Sequence, residues 1–259
     1  MKILVTGASR GIGKEIVEAL ASRGHEVIAT MRTPETFEGY SQQNITIRAL
    51  DVTDREKVFF EVASIKPDAV VNNAGFGLYC PVELATEEEM QAQFAVNVFG
   101  TVHVCQAALP HMRNQKRGKI INISSLAAVM SHPYLGFYCA AKHALEALSF
   151  ALQANVLPFN IQVSVVEPGR TATGFGKSTA KGSLCDLDNP YEPKFSQSYE
   201  QFIPSIEEGQ DPKEVAQLVA DILEEENPHF RYQTTERGKE IVGQILADPT
   251  GDDWVDKHR

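Results

Sequence analysis

The chain opens on a short apolar run, Ile3-Leu4-Val5-Thr6, that leads without a break into Gly7-Ala8-Ser9-Arg10-Gly11-Ile12-Gly13 and then into an amphipathic stretch over 14–23. No other feature constrains the fold as strongly. A strand ending in glycines that open a helix begins a βαβ unit, and the free N–H groups at that helix N-terminus form an anion site suited to a pyrophosphate. Each glycine has a physical task. Gly7 permits the tight turn, Gly11 lets the backbone approach the pyrophosphate, and Gly13 lets helix and strand pack closely. Ser9, Arg10 and Ile12 fill the same turn and belong to the same expected contact surface.

Strand-like runs at 26–31, 45–50 and 69–72 then alternate with helical ones, the clearest at 55–65. A long helical pattern covers 87–114, followed by a strand at 119–123, a helix at 137–157 and a strand at 162–166. This alternation predicts an α/β fold, a doubly wound parallel sheet with helices on both faces. The 259 residues suffice for a single domain of that kind without disulfides or a structural metal. The segment 173–210 reads as irregular, with glycines and prolines among Phe175, Leu184, Leu187, Tyr191, Phe195, Tyr199 and Phe202. Those seven large apolar side chains predict a loop folded over a substrate.

Composition excludes some functions. With 24 Lys and Arg against 34 Asp and Glu, the net charge of -10 repels a phosphate backbone, so nucleic acid is not an expected partner. The four cysteines, at 80, 105, 139 and 185, show no Cys-x-x-Cys and no histidine at ligand spacing, which predicts reduced core or pocket residues and no metal. There is no apolar run of about 18 residues, and a strand starting at Lys2 leaves no room for a leader, so the expected location is the cytoplasm.

The second strand ends Ala29-Thr30-Met31-Arg32-Thr33. In dinucleotide folds a carboxylate there holds the ribose 2′-OH, whereas an arginine accommodates a 2′-phosphate. No carboxylate is present, and Arg32 with Arg10 supplies two cations, so NADP(H) is expected over NAD(H).

Chemistry points to Tyr138. Of the seven tyrosines it alone has a lysine four places later, and on a helix Tyr138 and Lys142 share a face. A phenol with an unperturbed pKa of ~10 is a poor acid-base group at neutral pH, but a fixed cation favours its phenolate. Ser125, thirteen residues earlier, is preferred over Ser124 as its partner on spacing, although a serine pair after a strand is also an ordinary cap. The seven histidines receive no catalytic role: His143 is turned about 100° from Lys142 on the helix, while His132 and Tyr134 are expected to edge a substrate pocket.

Together with Asp51, Asn72-Asn73-Ala74-Gly75, Asn97 and Pro168-Gly169 followed by Thr173, these motifs resemble the short-chain dehydrogenase/reductase family over nearly the whole chain. The resemblance implies that Asp51 and Val52 meet the adenine, that Asn73, Ala74 and Gly75 line the cofactor cleft, and that Thr173 and the backbone after Pro168, with Gly169 and Thr171, hold the nicotinamide carboxamide. It implies Ser125, Tyr138, Lys142 and Asn97 as the catalytic set, with Lys142 also binding the nicotinamide ribose and Asn97 holding a relay water. Phe137-Tyr138-Cys139-Ala140-Ala141-Lys142-His143-Ala144 and a tail from 229 to 259 containing Arg231-Tyr232-Gln233-Thr234-Thr235 and Asp248-Pro249-Thr250-Gly251 are similar to the 17β-hydroxysteroid dehydrogenase type 1 and retinol dehydrogenase group. The expected activity is NADP(H)-dependent interconversion of a carbonyl and an alcohol, on a lipophilic substrate given the apolar 173–210 segment. A reductase of small polar carbonyls such as keto-acyl thioesters and a non-catalytic NADPH-binding regulator are the alternatives. Excess apolar residues on the 87–114 and 137–157 helices, including Phe99 and Leu148, predict a homo-oligomer, dimer or tetramer.

Overall fold

The computed structural model describes residues 1–187 and 189–247; the tail motif Asp248-Pro249-Thr250-Gly251 lies outside them. The elements are β1 (Lys2–Thr6), α1 (Gly11–Ser22), β2 (Glu26–Met31), β3 (Ile45–Ala49), α2 (Arg55–Ile65), β4 (Ala69–Asn72), β5 (Leu78–Tyr79), α3 (Glu87–Phe94), α4 (Thr101–Gln115) and β6 (Gly118–Ile123). They continue with α5 (Gly136–Val156), β7 (Ile161–Glu167), α6 (Phe175–Ser178), β8 (Ala180–Lys181), α7 (Lys194–Glu207), α8 (Pro212–Glu224), β9 (Arg231–Gln233) and α9 (Glu236–Ala247).

Seven strands form one sheet in the order β3-β2-β1-β4-β6-β7-β9, and every neighbouring pair is parallel. The alternation of side chains along β1 builds the two faces. Ile3 and Val5 pack with Ile16, Val17 and Leu20 of α1 and Val215 and Val219 of α8. Leu4 points the other way, into a core with Val58 and Val62 of α2 and Val104, Ala108 and Met112 of α4. Burial on both faces explains why these strands read as continuous apolar runs. The helix starts are set locally: Asp54 caps α2 by accepting from Lys57 N at 3.0 Å, Thr86 and Glu89 form a capping box on α3, and Asp211 caps α8.

Two stretches depart from the sequence reading. The helix expected over 87–114 runs on from α3 into α4, but through a π turn at Ala95–Gly100 that carries Asn97. A single π turn inside a helix is uncommon and tends to mark a functional position. The second departure is 173–210, which is not irregular. It holds α6, β8 paired in parallel with β5, and the 14-residue helix α7. Phe195, Tyr199, Phe202 and Ile206 recur there at helical spacing, and Phe195 is fully buried; Pro204 within the helix masked that pattern. The edge strand β9, three half-buried residues long, carried no alternation to reveal it. Among the described residues no helix is long and apolar enough to cross a membrane.

Candidate active site

The turn after β1 is held by what packs against it. Gly7 and Gly11 have φ of +65° and +54°, in the left-handed region that favours glycine. A Cβ on Gly7 would lie 2.8 Å from Ala74 Cα, and one on Gly11 would lie 2.9 Å from Thr173 Cβ. Gly13 has ordinary helical geometry, but its Cβ would meet Asn73 Nδ2 and Gly7 O at 2.4 Å each. Asn73 Nδ2 donates to Thr6 O and Gly7 O, both at 3.0 Å, while Thr6 Oγ1 accepts from Asn73 N and Ala74 N at 3.0 and 3.1 Å. The loop after β4 therefore clamps the glycine turn. Tyr40, which the sequence did not single out, donates its hydroxyl to Ala8 O and packs on Phe37 with ring centroids 4.8 Å apart. A contact spanning 32 residues leaves no local signal.

At the carboxyl ends of β1, β2, β4, β6 and β7 opens a cleft of about 1420 Å³, the position where doubly wound sheets bind ligands. Gly7, Ser9, Arg10, Gly11 and Ile12 floor one end, with Arg32, Asp51 and Val52 beside them. Asn73, Ala74 and Gly75 form the wall, and Pro168, Gly169, Thr171 and Thr173 close the far side. Arg10 and Arg32 are exposed and make no ion pair among the described residues. Asp51 is engaged locally, its Oδ1 accepting from Thr53 N and Thr53 Oγ1 at 2.9 and 2.7 Å. Thr171 and Thr173 are braced by Gln210, whose Nε2 donates to Thr171 Oγ1 at 3.2 Å, and by the 3.2 Å bond from Thr173 Oγ1 to Thr171 O. A backbone floor that tolerates no Cβ, flanked by two free cations, fits a dinucleotide.

Tyr138 and Lys142 lie one turn apart on α5 and both line the cleft. Lys142 is buried, its Nζ donating to Ile123 O at 2.8 Å and lying 5.8 Å from the centre of the Tyr138 ring. Desolvation pushes the Lys142 pKa down to about 8, opposed by the negative charge of Glu146. Desolvation also pushes the Tyr138 phenol up to about 12, and a hydrogen bond with Ser125 works against it. The expectation that the lysine lowers the phenol is thus outweighed in the protein alone by the cost of charging an oxygen withdrawn from water. Ser125 serves two ends, since its Oγ also accepts from Ala127 N at 3.1 Å and caps the short turn Leu126–Ala128. Ser124 is buried on the cleft surface with no hydrogen-bond partner for its hydroxyl among the described residues.

Gly13 and Asn97 do not line the cleft. Asn97 Oδ1 accepts from Phe76 N at 3.0 Å and its Nδ2 donates to Phe76 O at 2.9 Å. Each end of the amide is thereby tied to the loop after β4, with one N–H and one lone pair still unused. The apolar part of the cleft is lined by Tyr79, Met130, Leu135, Phe175, Phe202 and Ile206, and α9 adds Ile241 and Ile245. Of the seven apolar residues expected to face a substrate, Phe175 and Phe202 line the cleft. Phe195 is buried behind Tyr79, ring centroids 5.6 Å apart, and Tyr199 packs beside it, while Leu184, Leu187 and Tyr191 point outward. His132 lines the cleft, whereas Tyr134 does not and packs on Tyr79 in a tilted arrangement, ring centroids 5.7 Å apart. His143 is exposed, its Nδ1 2.8 Å from Cys139 O on its own helix. All four cysteines are buried and free.

A family model described as short chain dehydrogenase matches residues 1–183, and the chain belongs to that family. It is accordingly an oxidoreductase that works with a nicotinamide cofactor. The chain is 39% identical to a 3-ketodihydrosphingosine reductase of Bacteroides thetaiotaomicron, covering 88% of this chain and 86% of that one. It is 32% identical to retinol dehydrogenase 8 of Bos taurus and to 17-beta-hydroxysteroid dehydrogenase type 1 of Homo sapiens; each match covers 98% of this chain, and 87% and 83% of theirs. A solved short-chain dehydrogenase from Streptomyces avermitilis superposes with a TM-score of 0.83 at 33% identity, covering 95% of this chain and 91% of the other. One from Burkholderia cenocepacia in complex with NADP does so with a TM-score of 0.76 at 25% identity, covering 95% and 93%.

Proposed function

We propose that this oxidoreductase interconverts a carbonyl and an alcohol on a lipophilic substrate, uses NADP(H), and moves the proton through Tyr138. The observation that carries the reading is convergence: Ser125 and Lys142 both lie against Tyr138, and all three line the one cleft that also holds the glycine turn and the apolar wall. When bound, the nicotinamide supplies or accepts the hydride. In reduction, Tyr138 gives its proton to the substrate oxygen, and Ser125 donates a hydrogen bond to that same oxygen. A high phenol pKa suits this direction, because Tyr138 stays protonated until charge develops on the oxygen. Lys142 keeps two N–H donors beyond the one given to Ile123 O, free for a ribose, and its charge steadies the phenolate left after proton transfer. Asn97 acts indirectly, fixing Phe76 and with it the Asn73–Gly75 wall.

Arg10 and Arg32, unpaired beside the glycine turn with no carboxylate at the end of β2, support NADP(H), and a similar NADP complex agrees. The wall of Tyr79, Met130, Leu135, Phe175, Phe202 and Ile206 supports a lipophilic substrate, as do relatives named for a ketodihydrosphingosine and for retinol. Phe99 and Leu148 are 55% and 44% exposed on the π turn and α5, which supports a homo-oligomer through that face. The test is NADPH consumption over a panel of long-chain ketones, retinal, steroid ketones and small keto-esters, with Tyr138→Phe alongside. Turnover of a bulky apolar carbonyl that falls at least about a hundredfold in Tyr138→Phe, with cofactor binding kept, is the expected result. Preference for the small keto-esters would overturn the substrate class, and retained turnover in the variant would remove Tyr138 from its role.

A further inference from the structure

Behind the catalytic pair lies a buried charge cluster that the proton transfer itself does not use. Glu146 sits one turn beyond Lys142 on α5, with its side chain only 8% exposed. Glu167, fully buried at the end of β7, lies beside it. Arg231 of β9 bridges the two carboxylates, its Nε 3.0 Å from Glu167 Oε1 and its Nη2 3.1 Å from Glu146 Oε2. Gln233 Nε2 completes the cluster by donating to Glu167 Oε2 at 2.6 Å. The arrangement depends on register: β9 pairs with β7 so that Arg231 stands opposite Val165 and Gln233 opposite Glu167, which brings Gln233 to Glu167 and lets Arg231 reach Glu146 in the middle of α5. Burying two carboxylates costs stability unless they are matched. One guanidinium for two carboxylates leaves a negative excess, and Glu167 is held well above the usual carboxylate range by burial and by Glu146. The nearest further cation on α5 is Lys142, whose charge Glu146 favours against the pull of burial.

We propose that Glu146, held one helical turn from Lys142 by its ion pair to Arg231, is a positioning residue whose buried charge keeps Lys142 cationic beside Tyr138. The groups facing Lys142 are few. Its own helix brings Tyr138 and Glu146, with the Cys139 thiol acting on Tyr138, and β6 brings the Ile123 carbonyl; from β7 and β9 come Glu167 and Arg231, both engaged with Glu146 or with each other. The π turn that packs on α5 brings uncharged Asn97; of the α3 carboxylates, Glu87 and Glu89 are engaged by Gln91 and by Thr86 and Ser183, and Glu88 is exposed to solvent. Among the described residues Glu146 is therefore the one carboxylate whose charge acts on Lys142, and removing it leaves burial unopposed.

This inference rests on the reading of Tyr138 and Lys142 given above. The experiment is the pH profile of kcat for carbonyl reduction, between about pH 6 and pH 10, in the wild type, Glu146→Gln and Glu146→Asp, with Tyr138→Phe in the same series. In Glu146→Gln the alkaline limb is expected to move to lower pH by about half to one unit, seen as a roughly three- to tenfold lower rate at the alkaline end. Glu146→Asp, which keeps the charge but draws it back by one methylene, is expected to shift the limb less and in the same direction, and it carries the test should Glu146→Gln fail to fold. A limb unmoved in the folded variants, even with a lowered melting temperature, would reduce Glu146 to a structural role and overturn the proposal. Retained turnover in Tyr138→Phe would instead mean that the underlying reading had failed, so the two failures are separable.

Discussion

Gly13→Ala adds a single methyl group, and the structure says where it goes. The new carbon would lie 2.4 Å from both Asn73 Nδ2 and Gly7 O, and the second of these is backbone that cannot swing aside. Crowding of this kind in a packed interior costs ~1–3 kcal/mol. Displacing Asn73 also weakens its two 3.0 Å bonds to Thr6 O and Gly7 O, each worth ~0.5–1.5 kcal/mol. Alanine returns up to ~1 kcal/mol through its better helix propensity. The net loss is about 2–3 kcal/mol, which lowers the melting temperature of a chain of this size by ~5–10 °C. Because the displaced loop is the wall of the cleft, dinucleotide affinity should fall in the same variant. Thermal unfolding followed by circular dichroism, with cofactor binding followed by fluorescence, measures both. The reasoning also requires non-additivity: in an Asn73→Ala background part of the clash is already absent, so Gly13→Ala should cost less there than alone. A melting temperature within about 1 °C of wild type, or strictly additive single and double variants, would refute the clamp between the two loops.

Further outcomes concern the cofactor and the assembly. Arg32→Ala should weaken NADPH by roughly tenfold or more while leaving NADH within about twofold, as titrated by fluorescence; equal losses for both would remove the 2′-phosphate argument. Replacing the exposed Phe99 and Leu148 by Ser should shift the sedimentation coefficient towards that of a single chain, and an unchanged assembly would place the contact elsewhere.

Much of this protein was legible in its residues because the signals were local. The strand, glycine turn and helix at the start, the alternation that builds a parallel sheet, and the i, i+4 spacing of Tyr138 and Lys142 all act within a few residues, where backbone geometry fixes what a pattern can become. The helix α7 was present in its apolar spacing too, but Pro204 spoke against it, and only burial of Phe195 against Tyr79 decides the matter. What tertiary structure alone determined is whatever depends on side chains far apart in the chain. It turned five of the seven apolar residues of 173–210 away from the cleft, set Tyr40 against Ala8 and tied Asn97 to Phe76. It also closed Arg231 of β9 over Glu146 and Glu167. Proton affinity belongs to the same category. The sequence places a cation beside a phenol, but whether that cation or the loss of water dominates depends on how deeply both are enclosed, and enclosure is a property of the packed chain.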